Sequence, residues 1–280
     1  MTSESPLFRR QTISESAVAS VWRFDHPHGV PQKDSEEEAA DRFQINVVER
    51  GWFRLGYRGR EWTLGAGSVF LSRPGDVYRY AHMRDLAPDA CLSVSFCDSL
   101  STDLAETFER TPIALPPTNR LAFLSLRLGS CTANCDPMSL DELACELVDA
   151  AEHAEAGRHR LYRPEQLRSY AQRISAAREM IDTRPAGRHS LWELASGVAM
   201  SPFLFARVFR DLMGIPPHQY VVRVRLQRAR ALLGQGMSVT ETCYASGFNS
   251  LSHFIKMFRV HYGQSPSQFK APPDHSRSRR

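Results

Sequence analysis

Two stretches in the second half of this chain repeat each other, and no other feature limits the possible folds so strongly. LASGVAMSPFLFARVFRDLMGIPPHQY begins at Leu194, and TCYASGFNSLSHFIKMFRVHYGQSPSQF begins at Thr242. Leu194, Ala195 and Met200 match Thr242, Cys243 and Phe248 at an offset of 48. Asn249 is one extra residue, so Ser201, Phe209, Gly214 and Pro217 match Ser250, Phe258, Gly263 and Pro266 at an offset of 49. Each copy reads as a short helix, a turn and a second helix, crossing around small residues. Ser201 and Ser250 can accept hydrogen bonds from the orphan N–H groups of the helix starts, Pro202 suits a first turn, and Gly214 and Gly263 end the pattern. The spacing of Phe205, Phe209, Phe254 and Phe258 puts them on the buried side. The opposite side of each second helix is then free to enter a DNA major groove.

Around the repeat the pattern stays helical. Ile174, Ala177, Met180 and Ile181 share one face, 191–195 fits a short helix, and Val222, Leu226, Ala229 and Leu233 form a stripe. Arg223, Arg225, Arg228 and Arg230 mostly flank that stripe, either for DNA or for pairing with acids of the first domain. Charge follows the same division. Lys and Arg number 35 against 31 Asp and Glu, a net of +4, but 161–280 holds 18 basic and 7 acidic residues and 1–160 holds 17 and 24. A basic half of this kind is built to meet a polyanion: DNA, RNA or an anionic membrane by charge alone.

These residues resemble the AraC/XylS family of bacterial transcription regulators over 173–270. The resemblance is carried by Leu194-Ala195 with Met200-Ser201, by the connection from Leu226 to Leu233, and by Gly247-Phe248-Asn249-Ser250 with Phe254, Phe258, Gly263 and Ser265-Pro266. It implies seven helices in two helix-turn-helix units joined by one long helix, with recognition helices over 201–213 and 250–262 that read adjacent major-groove segments on one DNA face. Residue by residue it assigns Phe203, Ala206 and Arg207 to the groove in the first unit, and Leu251, Ser252 and Lys256 in the second, with His253 close by. A guanidinium at Arg207 can donate two hydrogen bonds to guanine O6 and N7, Lys256 can reach guanine or phosphate, and Leu251 can meet a thymine methyl. Ser201, Ser250, Arg210 and Arg259 complete the candidate DNA set, the two arginines toward phosphate. Thr242 departs from the family, which commonly has an aliphatic residue there.

The first half differs in texture. At 280 residues two domains are expected. The stretch 43–96 holds short apolar and aromatic runs cut by Gly, Pro and Asp, which implies strands in a sandwich or barrel. Residues 1–20 are polar and expected to fray, and 32–38 reads as a solvated loop. After about Ser99 helices follow, with Leu121, Leu124 and Leu128 on one face and Leu140, Leu143, Leu147 and Ala151 beside Ala144 on another. The strand region is similar to the cupin-like effector or dimerisation half of AraC/XylS proteins, through 64–69 and Pro74-Gly75-Asp76. The similarity implies an interior that admits a small organic effector, with Trp52, Tyr57, Trp62, Tyr78, Tyr80 and His82 as candidate walls; a period of two forbids all of them from sharing a face. The expected fold class is α+β: a cupin-like β barrel or sandwich with helices over 10–157, a linker over 158–169, an all-α domain with two helix-turn-helix units over 170–270, and a basic tail over 271–280.

Other classes lose ground on specific residues. No run of eighteen apolar residues offers a membrane span, and MTSESPLFRRQT lacks the apolar core of a secretory leader. Six cysteines make no disulfide framework and read as reduced thiols of the cytoplasm. No phosphate loop, dinucleotide fingerprint, nucleophile elbow or HExxH pair occurs, and Asp76 with His82 supplies no nucleophile. His26, His28 and His82 lack a converging carboxylate, and Cys131 with Cys135 lacks a second pair, so no metal, cofactor or catalytic residue is assigned. The expectation is a cytoplasmic, nucleoid-associated regulator, grouped with activators by the resemblance although its residues do not choose between activation and repression. Its expected partners are double-stranded promoter DNA, RNA polymerase, a small organic effector and a second copy of the chain. Two alternatives stay open: a ligand-independent DNA-architectural regulator, and a cupin enzyme fused to a DNA-binding domain.

Overall fold

The computed structural model describes residues 9–26, 37–82, 88–130, 137–155 and 161–269. The chain divides into two compact units, Met1–Leu167 and Arg168–Arg280. In the first, the described strands are β1 (Arg9–Glu15), β2 (Ala19–His26), β3 (Glu37–Ala39), β4 (Gln44–Arg50), β5 (Trp52–Tyr57), β6 (Arg60–Gly65), β7 (Val69–Ser72), β8 (Val77–His82) and β9 (Asp89–Phe96). They form a five-stranded sheet in the order β1-β2-β9-β4-β7 and a four-stranded sheet in the order β3-β8-β5-β6. Three helices follow: α1 (Asp98–Thr107), α2 (Asn119–Gly129) and α3 (Pro137–Glu152).

The larger sheet is covered on both faces. Val21, Val94, Ile45 and Leu71 stand in register across four strands, and all are buried. Helix α2 packs against β4, and α3 against β1 and β2, through the expected leucines 121, 124, 128, 140, 143 and 147. On the other face Val48, Phe70 and Cys91 join Phe53, Leu55, Leu64 and Tyr78 of the smaller sheet, together with Ile113, in one core. Every residue of β9 is therefore buried. The two sheets face each other as a sandwich; among the described residues β1, β7, β3 and β6 stand at their edges and the strands do not close into a barrel.

Two expectations about polar segments need correction. The stretch expected to fray contains β1, which pairs with β2 over Arg9–Glu15. An edge strand tolerates such polarity because one of its sides faces solvent, and the Arg10 guanidinium lies 3.7 Å over the Trp22 ring. Of the solvated loop, Glu37 and Glu38 belong to β3, which pairs with β8. The linker also shortens: α4 (Pro164–Thr183) starts inside 158–169, with Pro164 at a first-turn position where its missing N–H costs nothing.

Among the described residues the second unit has the seven helices expected: α4, α5 (Leu191–Gly197), α6 (Pro202–Met213), α7 (Pro217–Gly234), α8 (Val239–Ala245), α9 (Leu251–Tyr262) and α10 (Pro266–Phe269). Its duplication runs deeper than the two aligned segments. Arg173, Ile174, Ala177, Arg178 and Ile181 of α4 recur as Arg225, Leu226, Ala229, Arg230 and Leu233 of α7. Phe209 meets Tyr220 at 5.7 Å with Arg178 over the tyrosine, and Phe258 meets Phe269 at 5.8 Å with Arg230 over the phenylalanine. Helix α7 thus closes the first helix-turn-helix and opens the second. That double duty explains why Tyr220, Val221 and Val224 are buried beside the expected stripe. Arg225 donates to the carbonyls of Pro185 and Gly187, and Arg228 to that of Ala245, so these arginines find partners within the unit.

Candidate nucleic-acid interface

Each recognition helix is aimed by the short helix and turn before it. Ser190 Oγ accepts the Glu193 N–H at 3.1 Å while the Glu193 carboxylate accepts the Ser190 N–H at 2.9 Å; Ser238 and Glu241 repeat the box at 3.2 Å in both directions. The Ser190 N–H holds the Glu193 carboxyl below its ordinary range. The S-x-x-E spacing that marks these boxes was available in the sequence and went unread. The turn then reverses through a left-handed residue in both copies, Ala199 at φ 53° and Gly247 at φ 97°. Arg173 braces the first turn through the Ala199 carbonyl at 2.6 Å. Ser201 and Ser250 accept the N–H groups of Leu204 and His253 at 3.4 and 3.3 Å, and Gly214 and Gly263 end the helices at φ 76° and 73°. Both serines therefore work first as caps.

The faces follow from this placement. Phe205, Val208, Phe209, Leu212 and Met213 of α6 are buried, and Phe254 and Phe258 of α9 enter a core with Leu226, Ala229, Leu233, Cys243 and Phe248. Opposite them on α6 stand Phe203, 91% exposed, with Arg207 and Arg210 exposed and Ala206 half-buried. Positions three, four and seven apart line one helix face. On α9 the matching face carries Ser252, Lys256 and Arg259, all exposed, with His253 beside them. Among the described residues none of Arg207, Arg210, Lys256 and Arg259 is held in an ion pair. Leu251 occupies the first-turn position of Pro202 and packs partly against the second core. Ile255, 37% exposed, stands where Ala206 stands in α6; carrying the offset of 49 through the whole helix would have found it.

In the first unit the six candidate effector contacts separate. Tyr57 stacks on Tyr78 at 5.1 Å, and Tyr57, Trp62 and Tyr80 pack against the core that includes Tyr78. Burial pushes the Tyr78 and Tyr80 phenols well up from their ordinary range. Trp52 points to the other face: its neighbours Phe53 and Leu55 are buried while it is 52% exposed, its ring lying over Gly65. His82 pairs through its backbone with Phe53. Its side chain lies outside the described residues, as do His28, Cys131, Cys135 and 271–280. Among the described residues no three His, Cys, Asp or Glu side chains group as a metal site would require. Cys91 and Cys243 are buried thiols, and burial pushes both up.

Comparison with known proteins falls on both units. Residues 194–271 match the helix-turn-helix domain family, and 28–111 match the AraC-like ligand binding domain family. The transcriptional activator RhaS of Klebsiella pneumoniae (strain 342) is 26% identical over 262 residues, spanning 88% of this chain and 91% of the relative. The probable transcriptional regulator LumQ of Photobacterium leiognathi is 37% identical over 82 residues, 29% of this chain and 33% of LumQ. A solved DNA-binding transcriptional dual regulator from Escherichia coli K-12 shares 28% identity over 35% of this chain and 88% of its own, with a TM-score of 0.33.

Proposed function

We infer the working of this chain from one premise: it belongs to the AraC/XylS family of DNA-binding transcriptional regulators. It is a sequence-specific regulator of transcription and not an enzyme. The observation that carries the mechanism is the pair of exposed helix faces in equal phase, each with a cation at the same position, Arg207 on α6 and Lys256 on α9. Arg207 reads guanine, Lys256 reads guanine or phosphate, and Phe203 and Ile255 offer apolar contact to thymine methyls. Arg210 and Arg259 hold phosphates, which set register without sequence information. The two helices enter major-groove segments about 34 Å apart on one side of the duplex.

The first unit, a cupin-like sandwich over 10–157, senses a small organic effector and pairs with a second copy; 164–270 reads DNA. The effector changes promoter occupancy by binding the DNA-competent conformation and its alternative unequally. RhaS is named an activator, which supports activation through RNA polymerase here. Among the described residues no helix is long and apolar enough to cross a membrane, in keeping with work on the nucleoid in the cytoplasm. Footprinting the purified chain on operators selected from random duplexes tests the reading. Two protected major-groove segments one turn apart are expected; a single segment, or protection without sequence preference, would refute it.

A further inference from the structure

One arginine of the duplicated plan does different work in its two copies. Arg173 of α4 and Arg225 of α7 hold the same position, each just before a buried aliphatic residue, Ile174 or Leu226. Arg173 stays within its own helix-turn-helix and donates to the Val198 and Ala199 carbonyls of the turn before α6. The turn before α9 is braced by Arg228 instead, through the Ala245 carbonyl at 3.1 Å. Arg225 reaches across to the turn between α4 and α5, which belongs to the first helix-turn-helix. Its Nε donates to the Pro185 carbonyl at 3.1 Å and its Nη2 to that of Gly187 at 3.0 Å. Burial pushes this guanidinium below its ordinary range, so its charge is held there against a cost that the two carbonyls offset.

The acceptor is a tight turn. The Gly187 N–H donates to the Arg184 carbonyl at 2.8 Å, with Pro185 preset for the second position, so the carbonyls that Arg225 meets are held in place. The same turn presses on the second helix-turn-helix. A Cβ on Gly247 would stand 2.7 Å from the Ala186 Cα, 2.9 Å from Arg225 Nε and 3.1 Å from the Pro185 oxygen. The matched Ala199 keeps its Cβ in a left-handed backbone, so it is this contact, beyond the backbone angle, that calls for glycine at 247. Pro185–Gly187, Arg225 and Gly247 thus form one joint. Gly187 lies three residues before Ser190, the cap of α5, and Gly247 three before Ser250, the cap of α9. The joint ties the entry of one reader to the entry of the other, as a second attachment beside the covalent link through α7. Readers joined by α7 alone could pivot at its ends. One base pair shifts a groove segment about 3.4 Å along the duplex and roughly 34° around it, so a rigid pair fits one spacing.

We propose that Arg225 is a positioning residue that fixes the separation and phase of α6 and α9, so that the chain selects the spacing between its two operator segments as well as their bases. The proposal rests on the two-segment reading above. The full chain is titrated on the selected operator, on that operator with one base pair inserted or removed between the segments, and on a duplex keeping a single segment. Two readers held in one geometry should lose about a hundredfold on either altered spacing, because simultaneous engagement is forbidden there. Arg225→Gln is too short to span both carbonyls. Its loss from native to altered spacing should shrink to about tenfold or less, while single-segment binding stays at the wild-type value. That value also certifies the fold, since a merely structural role would weaken every duplex alike. Should Arg225→Gln fail to fold, Pro185→Gly loosens the other side of the same joint and is read by the same ratio. The proposal is overturned if the wild-type chain tolerates both altered spacings, if the variant keeps the wild-type ratio, or if every duplex weakens by one factor. Failure of the two-segment reading looks different: the wild-type chain binds the single segment as tightly as the whole operator.

Discussion

The two helix-turn-helix units share a backbone plan and differ in what they bury. The inner residues of α5 and its C-cap are Leu194, Ala195 and Val198; the same positions of α8 and its C-cap are Thr242, Cys243 and Ser246, and all six are buried. Ser246 resolves its burial by donating to the carbonyls of Thr242 and Cys243 at 2.6 and 3.1 Å. The Thr242 hydroxyl has no partner at all, and an unpaired buried hydroxyl costs about 1–3 kcal/mol. The turns differ in the opposite sense. Ala199 carries a left-handed backbone that opposes its Cβ, whereas Gly247 adopts its own without penalty. Duplication fixed the geometry of the readers and left their stability to individual residues, with the second core the softer of the two.

The comparison breaks most visibly at Gly247. A Cβ there would stand 2.7 Å from the Ala186 Cα, in a backbone conformation side chains avoid. Gly247→Ala should cost about 2 kcal/mol or more in denaturant titration; a loss below half of that would mean the turn relaxes freely. Thr242→Val keeps the shape and removes the orphan hydroxyl, for an expected gain of about 1 kcal/mol, with slower hydrogen exchange in α8 and α9. An unchanged exchange rate would show that the second unit is not limited by this residue. Ala199→Gly should gain only about 0.5 kcal/mol, relief of the left-handed strain being offset by chain entropy.

The smallest effect is one of pH. Burial, with help from the Arg223 charge, holds the His261 imidazole below its ordinary range. A lowered folded value means that the unfolded chain takes up the proton first, so stability is greater above the usual imidazole range and falls as pH drops from there toward the lower folded value. Thermal melts at decreasing pH should show a slight extra loss that His261→Gln removes. A melting temperature that rises on acidification in this window would give the sign as wrong.

How much of this was legible in the sequence depended on whether a pattern had one physical explanation. The recognition faces were legible because Phe205, Phe209, Phe254 and Phe258 could face only a core, which leaves Arg207 and Lys256 outside. Leu251 was harder to read because an apolar residue in a first turn can face groove or core, and Asn249 alters where the register is counted. The β1–β2 hairpin was hidden by its polar edge strand. The full burial of β9 was hidden for a subtler reason. In Cys91-Leu92-Ser93-Val94-Ser95-Phe96 the alternation suggests serines toward water, but with helices on one side and a second sheet on the other, both faces are inside. Trp52 stands half-exposed on the outer face of its sheet, which a list of aromatics without a strand register could not show.

The claim that two helices jointly select sequence is tested most directly by Arg207→Ala and Lys256→Ala, each titrated on the selected operator and on a scrambled duplex at identical salt. A bidentate base contact predicts that Arg207→Ala loses about 1–3 kcal/mol on the operator and far less on the scrambled DNA. Lys256→Ala should weaken the operator as well, selectively if it reads a base, and on both duplexes with a shallower salt dependence if it holds a phosphate. Operator affinity unchanged by either substitution would contradict a reader built from both helices.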